Sequence, residues 1–322
     1  MLAIQATKAG GPDVLQAIDA PTPEPGHGEI RVRHKAIGLN FIDTYQRSGL
    51  YPIKFPAVLG QEAAGVVEAV GEGVERFRLG DRVAYAGQLG AYAEAHVIPA
   101  ARAVTVPLAV SFETAAASLL KGMTAEFLLR RCHAVQSGDT ILVHAAAGGV
   151  GTLLVQWAKA IGATVIGTVG SPAKAYVAHQ LGCDHVILYR EDDVATKVRE
   201  LTGGRGVSVV YDSVGKDTFE ASLASLARRG LFVSFGNASG PAPAVEPLRL
   251  SRAGSVFFTR PTLFDYVAAP HELEDSAAAL FAVLAGGQVK VEIGQTFLLS
   301  EARQAHEALE ARTTIGASLL VP

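Results

Sequence analysis

A glycine-rich turn follows a short apolar run in the middle of the chain. Residues 141–151 read ILVHAAAGGVG, and the spacing Ala146-x-Gly148-x-x-Gly151 fits the dinucleotide fingerprint with alanine at the first glycine position. Glycines let the backbone approach a pyrophosphate, and the N-terminus of a following helix offers N–H donors and a positive dipole end. The pattern therefore favours a nicotinamide dinucleotide site. The alternative interpretation is a tight strand-to-helix turn without a ligand.

The residues after the next strand indicate which dinucleotide is preferred. An NAD site usually carries an acid about 20 residues after the glycines, where it bonds the ribose hydroxyls. Segment 167–171 reads GTVGS and has no acid, while Ser171, Lys174 and Tyr189 lie where a 2′-phosphate would bind. Because the missing acid removes repulsion and Lys174 adds attraction, we predict NADPH as the cofactor. In the alternative interpretation, Lys174 is a solvated lysine on the first turn of a helix.

The elements around this turn alternate between strands and helices. Helical spacing of apolar residues predicts helices over 150–161 and 172–181, and a further helix lined by Phe219, Leu223 and Leu226. Short apolar runs predict strands at 140–144, 164–169, 185–189, 207–212, 230–235 and 255–259. This alternation predicts an α/β fold with a doubly wound parallel sheet and right-handed crossovers.

The first 120 residues or so have a different texture. Short alternating segments, such as 29–34, 64–70 and 81–85, are separated by Gly and Pro. Such segments predict a β-rich domain ahead of the parallel sheet. A chain of 322 residues is long enough for two domains.

The charge and hydropathy of the chain argue against two classes of partner, nucleic acids and membranes. The net charge of −3, from 28 basic and 31 acidic side chains, provides no electrostatic footprint for nucleic acid. No stretch approaches the roughly 20 apolar residues of a membrane span. The first residues lack a charged head followed by an apolar run. We therefore predict a cytoplasmic protein that binds neither nucleic acid nor membranes.

The two cysteines, Cys132 and Cys183, lie far apart in the sequence. They support neither a disulfide framework nor a four-cysteine zinc site. Cys183 with His179, Asp184 and His185 could in principle hold a metal ion. A helix-to-strand turn with exposed polar groups is the favoured interpretation, because tetrahedral zinc needs four ligands of the right type. We predict no metal site.

Several long segments, in order along the chain, resemble the zinc-free quinone oxidoreductases of the medium-chain dehydrogenase/reductase superfamily, the group that includes ζ-crystallin. They are HKAIGLNFIDTYQRSGLYP (34–52), LGQEAAGVVEAVG (59–71), GDRVAY (80–85), AAASLLKGMTA (115–125), HAAAGGVG (144–151), GTVGSPAK (167–174), VVYDSVG (209–215) and SFGNASG (234–240). The resemblance covers essentially the whole chain. It implies NADPH-dependent reduction of quinones, with a Rossmann domain over 122–260 and a GroES-like catalytic domain from 1–121 and 261–322.

The resemblance also bears on zinc and on assembly. In the alcohol dehydrogenases of the superfamily a catalytic zinc is held by Cys, His and Cys, and those positions here are Asn40, Gln61 and Lys121. Amides are poor zinc ligands, and lysine must lose a proton to bind. The resemblance therefore implies hydride transfer without zinc. It further implies a homodimer, formed through strand 255–259 at a sheet edge.

Site residues are also implied by the resemblance. The catalytic set is Asn40, Tyr45, Tyr51, Gln61 and Lys121. The cofactor set comprises residues beside the nicotinamide, the pyrophosphate and the adenosine phosphate, namely Phe41, Asp43, Tyr45, Gly148, Gly149, Val150, Gly151, Gly170, Ser171, Lys174, Tyr189, Ser213, Phe235, Gly236, Asn237, Phe257, Phe258, Thr259 and Arg312.

Each assignment has a plainer alternative. Tyr45 and Tyr51 would then be interface aromatics, and Asp43 a structural hydrogen-bond acceptor, which we favour over a catalytic base. Phe127 stands where a tyrosine near the nicotinamide ring would be expected.

The expected chemistry needs little from any one side chain, because quinones are good hydride acceptors. Asn40, Gln61, Lys121, a tyrosine hydroxyl or solvent would donate to the product oxyanion, so we hypothesise that no single side chain is indispensable. One rival function is an NADPH-dependent reductase of activated carbon–carbon double bonds in enones, haloacrylates or enoyl thioesters. A more remote rival is a structural crystallin-like or AU-rich RNA-binding protein, against which the acidic balance argues.

Overall fold

The computed structural model describes residues 1–322. The chain forms two compact units. The first comprises residues 1–123, 267–287 and 291–322, and the second comprises residues 124–266 and 288–290.

Both units are built from short strands and helices. The strands are β1 (Leu2–Ala6), β2 (Leu15–Asp19), β3 (Glu29–Leu39), β4 (Ala57–Val58), β5 (Glu62–Val70), β6 (Arg82–Ala86), β7 (Ala95–Pro99), β8 (Ala103–Thr105), β9 (Thr140–His144), β10 (Thr164–Val169), β11 (His185–Leu188), β12 (Val207–Asp212), β13 (Leu226–Ser234), β14 (Phe257–Thr259), β15 (Ile293–Leu298) and β16 (Ala317–Val321). The helices are α1 (Phe41–Ser48), α2 (Phe112–Phe127), α3 (Gly149–Ile161), α4 (Pro172–Gln180), α5 (Val194–Leu201), α6 (Phe219–Ser225), α7 (Pro247–Arg252), α8 (Leu263–Tyr266), α9 (Pro270–Ala285) and α10 (Ala302–Glu310).

The first unit is rich in β-structure. One sheet has the order β2-β1-β4, and a larger one has the order β15-β16-β3-β5-β6-β8, with β7 also pairing with β3. All pairs are antiparallel except β15 with β16. Strand β3 alternates buried and half-buried residues along its first half, so one face of the sheet covers the core. In this register Gly38 lies opposite Glu62, and both lie at strand ends.

Helix α1 begins directly where β3 ends, and the side chain of Asp43 fixes that start. Its Oδ2 atom accepts a hydrogen bond from the backbone N–H of Asn40 at 2.9 Å, which satisfies a donor at the helix entrance. The helix ends at Gly49, whose φ of 85° is the left-handed conformation that glycine adopts without strain.

The second unit contains one parallel sheet with the order β11-β10-β9-β12-β13-β14. This is the doubly wound order in which the first strand lies near the middle and the chain reverses direction beside it. Its core includes an edge-packed aromatic cluster of Phe219, Phe232 and Phe258. The predicted α/β fold with a doubly wound parallel sheet is confirmed.

Two predicted boundaries are wrong. The strand predicted over 255–259 begins only at Phe257. Leu226 has the helical spacing of Phe219 and Leu223, but helix α6 ends at Ser225 and Leu226 begins β13, four residues before the predicted strand. An apolar side chain that is 1% exposed satisfies either element, so spacing alone does not separate them. The early strand start accommodates an irregularity in its pairing with β12, where Arg229 adopts a φ of 61°.

Helix α2 continues into a π-helical turn at Leu128–Cys132. The hydroxyl of buried Tyr211 donates to the carbonyl of Leu128 at 2.9 Å. None of the helices combines the length and the apolar character that crossing a membrane requires.

Candidate active site

The glycine-rich turn lies at the carboxyl end of β9. Ala145 adopts a left-handed φ of 54°, which redirects the chain, and the N–H of Ala146 bonds to the carbonyl of Thr168 at 3.1 Å. Helix α3 then begins at Gly149, and its N-cap, Gly148, has no side chain to occupy the first N–H groups. The turn therefore presents uncapped donors and the positive end of a helix dipole, as an anion site requires.

The spacing of the glycines has a steric cause. A Cβ atom on residue 151 would lie 2.3 Å from the carbonyl oxygen of Ala145 and 2.9 Å from that of Ala146. Real Cβ atoms do not approach this closely, so only glycine allows α3 to begin against the turn.

The predicted 2′-phosphate residues come together at the carboxyl ends of β10 and β11. Ser171 caps α4, because its Oγ accepts from the N–H of Lys174 at 3.4 Å. A Cβ atom on Gly170 would lie 2.6 Å from the hydroxyl oxygen of Tyr189. Tyr189 is anchored by its N–H, which donates to Val169 at 3.2 Å. The segment therefore clusters a hydroxyl, a phenol and a half-buried lysine around an acid-free turn.

A chain of buried hydrogen bonds lies beneath these turns. His144 Nδ1 is 2.9 Å from Thr168 Oγ1, and His144 Nε2 is 3.0 Å from Ser222 Oγ, which donates to Asp212 Oδ2 at 2.7 Å. The Asp212 carboxylate can only accept, so the Ser222 hydroxyl donates to it and itself accepts a hydrogen bond from the Nε2–H group of His144. The Nδ1 atom of His144 then accepts a hydrogen bond from the Thr168 hydroxyl. Burial, partly opposed by the charge of Asp212, lowers the pKa of His144, which fits this neutral tautomer.

The same carboxylate shapes the loop after β12. Asp212 Oδ1 accepts from the N–H groups of Val214 and Gly215 at 2.8 and 3.0 Å. Beside it, a Cβ atom on Gly236 would lie 2.4 Å from the carbonyl oxygen of Ser213. The structure thus brings together the predicted nicotinamide residues that follow β12 and β13, which are Ser213, Phe235, Gly236 and Asn237.

Sequence reasoning missed His144, Asp212 and Ser222. The available signal was polar residues ending two strands that otherwise read as apolar. A buried polar group at such a position needs a partner, and the partner is found only in the folded chain.

In the first unit, two of the three positions that align with zinc ligands meet at one carboxylate. Glu62 is fully buried and its Oε2 lies 2.9 Å from Asn40 Nδ2 and 3.4 Å from Lys121 Nζ. Its Oε1 accepts from the N–H of Leu120 at 2.6 Å. Gln61, also buried, directly precedes β5. Sequence reasoning missed Glu62, although it follows a predicted site residue.

The contacts of Asn40 revise its predicted chemistry. Its Nδ2 faces two acceptors, Glu62 Oε2 and the carbonyl oxygen of Gly38, the latter at 3.4 Å. Both amide protons therefore have acceptors within the unit, and the other polar atom of the side chain, Oδ1, can only accept. Asn40 thus offers an acceptor, which conflicts with the expectation that it donates to an oxyanion. Lys121 keeps donor capacity beyond its bond to Glu62.

The predicted aromatic residues form a small group on and after α1. The rings of Tyr45 and Tyr51 meet edge-on at 5.2 Å, and Phe41 lies 6.1 Å from Tyr45. In the second unit, Phe127 stacks on Tyr266 at 4.3 Å and is 1% exposed, so it is a packing residue where a tyrosine beside the nicotinamide was expected.

The remaining cofactor candidates differ in environment. On β14 the ring of Phe258 packs in the aromatic cluster, whereas Phe257 is 62% exposed, as the alternation of a strand dictates. Arg312 is exposed just after α10 with a φ of 58°.

Asp43 heads a second buried chain of hydrogen bonds. Its Oδ2 accepts from the hydroxyl of Tyr92 at 2.9 Å, and Tyr92 lies 3.0 Å from His306 Nε2. Arg47 Nη1 lies 3.0 Å from His306 Nδ1, and Arg47 also pairs with Glu310 at 2.6 Å. Because arginine only donates, the direction runs from Arg47 through His306 and Tyr92 to Asp43. These contacts fit the interpretation of Asp43 as a structural acceptor.

Burial governs the titration of this chain. It raises the pKa of Asp43 to about 7, against the hydrogen bonds from Asn40 and Tyr92, which lower it. Burial also lowers the pKa of His306 to about 3, aided by the charge of Arg47, so its ring is neutral at physiological pH. The Oδ1 atom of Asp43 is buried without a hydrogen-bond partner.

A cluster suited to a metal ion is not found. No group of three His, Cys, Asp or Glu side chains is arranged to hold one. Near Cys183, the carboxylate of Asp184 instead accepts from Lys159 at 2.8 Å and from the N–H of Val165 at 2.7 Å.

Comparison with known proteins finds relatives along the whole chain. Residues 26–108 match the alcohol dehydrogenase GroES-like domain, and residues 149–282 match a family described as zinc-binding dehydrogenase. A quinone oxidoreductase of Salmonella typhimurium is 54% identical over 99% of both chains. A crystal structure of the Escherichia coli quinone oxidoreductase complexed with NADPH superposes with a TM-score of 0.98, at 50% identity, and covers 100% of both chains. A 2-haloacrylate reductase of Burkholderia is 44% identical over 98% of this chain and 97% of its own.

The two matched domains define an oxidoreductase built from a GroES-like and a dinucleotide-binding part. At this level of identity over the full length, the chain belongs to the quinone oxidoreductases of the medium-chain dehydrogenase/reductase superfamily.

The buried Asp43 carboxyl generates a prediction about pH. Its pKa is raised in the folded state above the unfolded value, so the fold favours the protonated form. Its presence therefore costs nothing below about pH 4 and increasingly destabilises the protein as the pH rises to about 7. Urea unfolding should show Asp43→Asn gaining stability relative to wild type as the pH rises from about 4.5 to about 8.

The exposed Asp275→Asn variant controls for the removal of an acidic side chain from the surface. A stability difference between wild type and Asp43→Asn that stayed constant over this interval would show that Asp43 does not titrate there.

Proposed function

We propose that this protein reduces quinones by hydride transfer from NADPH and does so without zinc. The observation that carries the proposal is a phosphate turn followed by an acid-free second strand end with Lys174, in a chain whose relatives include quinone oxidoreductases. When bound, NADPH supplies a hydride, and the quinone takes up one further proton to become a hydroquinone.

The second unit has a surface that fits the dinucleotide. Gly148, Gly149, Val150 and Gly151 would hold the pyrophosphate on the uncapped end of α3. Gly170, Ser171, Lys174 and Tyr189 would surround the adenosine phosphate. Of the remaining candidates we assign the nicotinamide side to Phe41, Tyr45, Ser213, Phe235, Gly236, Asn237 and Thr259, with Arg312 as a further contact. Asp43 is fully buried as a structural acceptor, Phe258 packs in the aromatic cluster, and Phe257 is largely exposed on the edge strand, so these three leave the predicted cofactor set. The domain roles predicted from the sequence, with boundaries near residues 121 and 260, belong to the same proposal.

The zinc suggested by the name of one matched family does not fit the residues present. Asn40 turns its amide protons to Glu62, and Lys121 directs its ammonium at the same carboxylate. A site whose aligned positions are two amides and a cation repels a divalent ion instead of ligating it. No step of the proposed reaction uses a metal.

On the substrate side, the proposed residues are Asn40, Tyr45, Tyr51, Gln61 and Lys121. Negative charge develops on the quinone oxygen as it is reduced, and a fixed N–H donor beside it lowers the barrier. Lys121 is the candidate donor of this kind, while Asn40 Oδ1 would accept from a hydroxyl of the hydroquinone. Solvent remains the ultimate proton source, which agrees with the hypothesis that no single side chain is indispensable.

The choice between quinones and activated alkenes is tested by rates. With NADPH at saturation, we expect higher kcat/KM for a benzoquinone and a naphthoquinone than for 2-chloroacrylate and a cyclic enone. Higher kcat/KM values for the alkenes would favour a reductase of carbon–carbon double bonds. This alternative is considered because a 2-haloacrylate reductase is 44% identical to the chain. Tight, salt-sensitive binding of an AU-rich RNA without turnover of either class would favour the remote rival.

The cofactor preference is tested at Lys174. Lys174→Ala should weaken NADPH binding about tenfold, as expected for losing one hydrogen bond to a charged group, and should leave NADH binding unchanged. Isothermal titration calorimetry with both nucleotides provides the measurement, and Lys197→Ala on α5 is the matched control. Unchanged NADPH affinity in Lys174→Ala would remove this lysine from the phosphate site.

We also propose a homodimer formed through β14. This strand is the edge of the parallel sheet, and its Phe257 is largely exposed. Light scattering should give twice the 33.6 kDa of one chain, and Phe257→Arg should halve the observed mass. Leu108→Arg, at a position 89% exposed in the first unit, should leave the mass unchanged. A wild-type monomer would rule out the assembly.

A further inference from the structure

The carboxylate of Glu62 is a buried acid to which the proposed reaction assigns no part. It is 0% exposed, and it lies at the first residue of β5, opposite Gly38 on β3. A fully buried carboxylate is costly unless donors surround it. Glu62 has three such donors, from the Asn40 amide, the Leu120 N–H and the Lys121 ammonium.

The Glu62 carboxylate fits beside β3 because residue 38 is a glycine. A Cβ atom on Gly38 would lie 2.3 Å from Glu62 Oε2 and 2.3 Å from the carbonyl oxygen of Ala116. Any larger residue at position 38 would therefore collide with the acid in its observed position. The Leu120 bond, at 2.6 Å, then fixes Oε1 and leaves Oε2 to face the two side chains.

The Oε2 atom of Glu62 orients the side chains of Asn40 and Lys121. It draws the Asn40 amide nitrogen to itself, so that Oδ1, the acceptor atom of that side chain, is turned away from the carboxylate. It also places a counter-charge 3.4 Å from Lys121 Nζ, whose residue is 5% exposed. Asp43 on α1 lies within the electric field of both groups, since Lys121 lowers and Glu62 raises its pKa.

We propose that Glu62 is a positioning residue for quinone reduction, which orients Asn40 as an acceptor and Lys121 as a charged donor. The inference rests on the proposed function. A buried anion here gathers an amide and an ammonium. The arrangement pairs an N–H donor for the quinone oxygen with an oxygen acceptor for the hydroquinone hydroxyl.

Glu62→Gln tests the proposal with almost no change in shape. The glutamine oxygen can still accept from Leu120, but its NH2 then faces two other donors, Asn40 Nδ2 and Lys121 Nζ. We expect kcat for a benzoquinone to fall about tenfold, with NADPH affinity unchanged. Glu68→Gln, on the same strand and paired with Arg31 and Arg33, is the matched control.

A double-mutant cycle separates positioning from folding. Lys121→Met should lower kcat by a similar factor, and adding Glu62→Gln to it should lower kcat much less than it does in wild type. If Glu62→Gln fails to fold, Lys121→Met and Glu62→Asp still test the positioning role of Glu62. Glu62→Asp shortens the carboxylate, so it should reduce kcat and leave NADPH binding intact.

Equal kcat in wild type and Glu62→Gln would overturn the proposal, as would independent effects of the two substitutions. Failure of the proposed function is a different result, namely no quinone turnover by wild type. In that case a crystal structure of Glu62→Gln still tests the orientation, since unmoved Asn40 and Lys121 would refute it.

Discussion

The first unit depends on balancing charges that water cannot reach. Arg47, Asp43, Glu62, Lys121 and His306 are all buried, and an isolated charge in such a place is strongly unfavourable. The structure meets this constraint by alternating donors and acceptors, so that each carboxylate is met by an N–H, a hydroxyl or an ammonium. The neutral His306 ring carries polarisation from Arg47 to Tyr92 without adding charge.

The Asp43 chain of hydrogen bonds and the contacts of Glu62 meet at one residue. Asn40 is bonded to Asp43 through its backbone and to Glu62 through its side chain, so it joins them at the start of α1. Two of the three positions that align with zinc ligands, Asn40 and Lys121, thus belong to one hydrogen-bonded network around Glu62.

Much of this arrangement was accessible from the sequence, for identifiable reasons. The phosphate turn and the parallel strands follow from local spacing, which survives folding because glycine sterics at Gly151 and strand periodicity are local properties. Glu62 and the His144–Ser222–Asp212 chain were missed, because they join residues up to 78 positions apart that carry no shared pattern. The orientation of the Asn40 amide could not be predicted for the same reason, since only its folded neighbours decide where each amide atom points. Leu226 shows the converse limit, where one apolar residue satisfied two periodicities.

The hydrogen bonds from Thr168 to Asp212 have a thermodynamic consequence for the ligand. They tie the ends of β9, β10 and β12 to α6, so the loops that would contact a nucleotide are ordered in the folded protein itself. The entropy of fixing those loops is then lost during folding and does not oppose association. The binding free energy in such a site then reflects the contacts made with the ligand, because only a small part of it offsets the ordering of the protein.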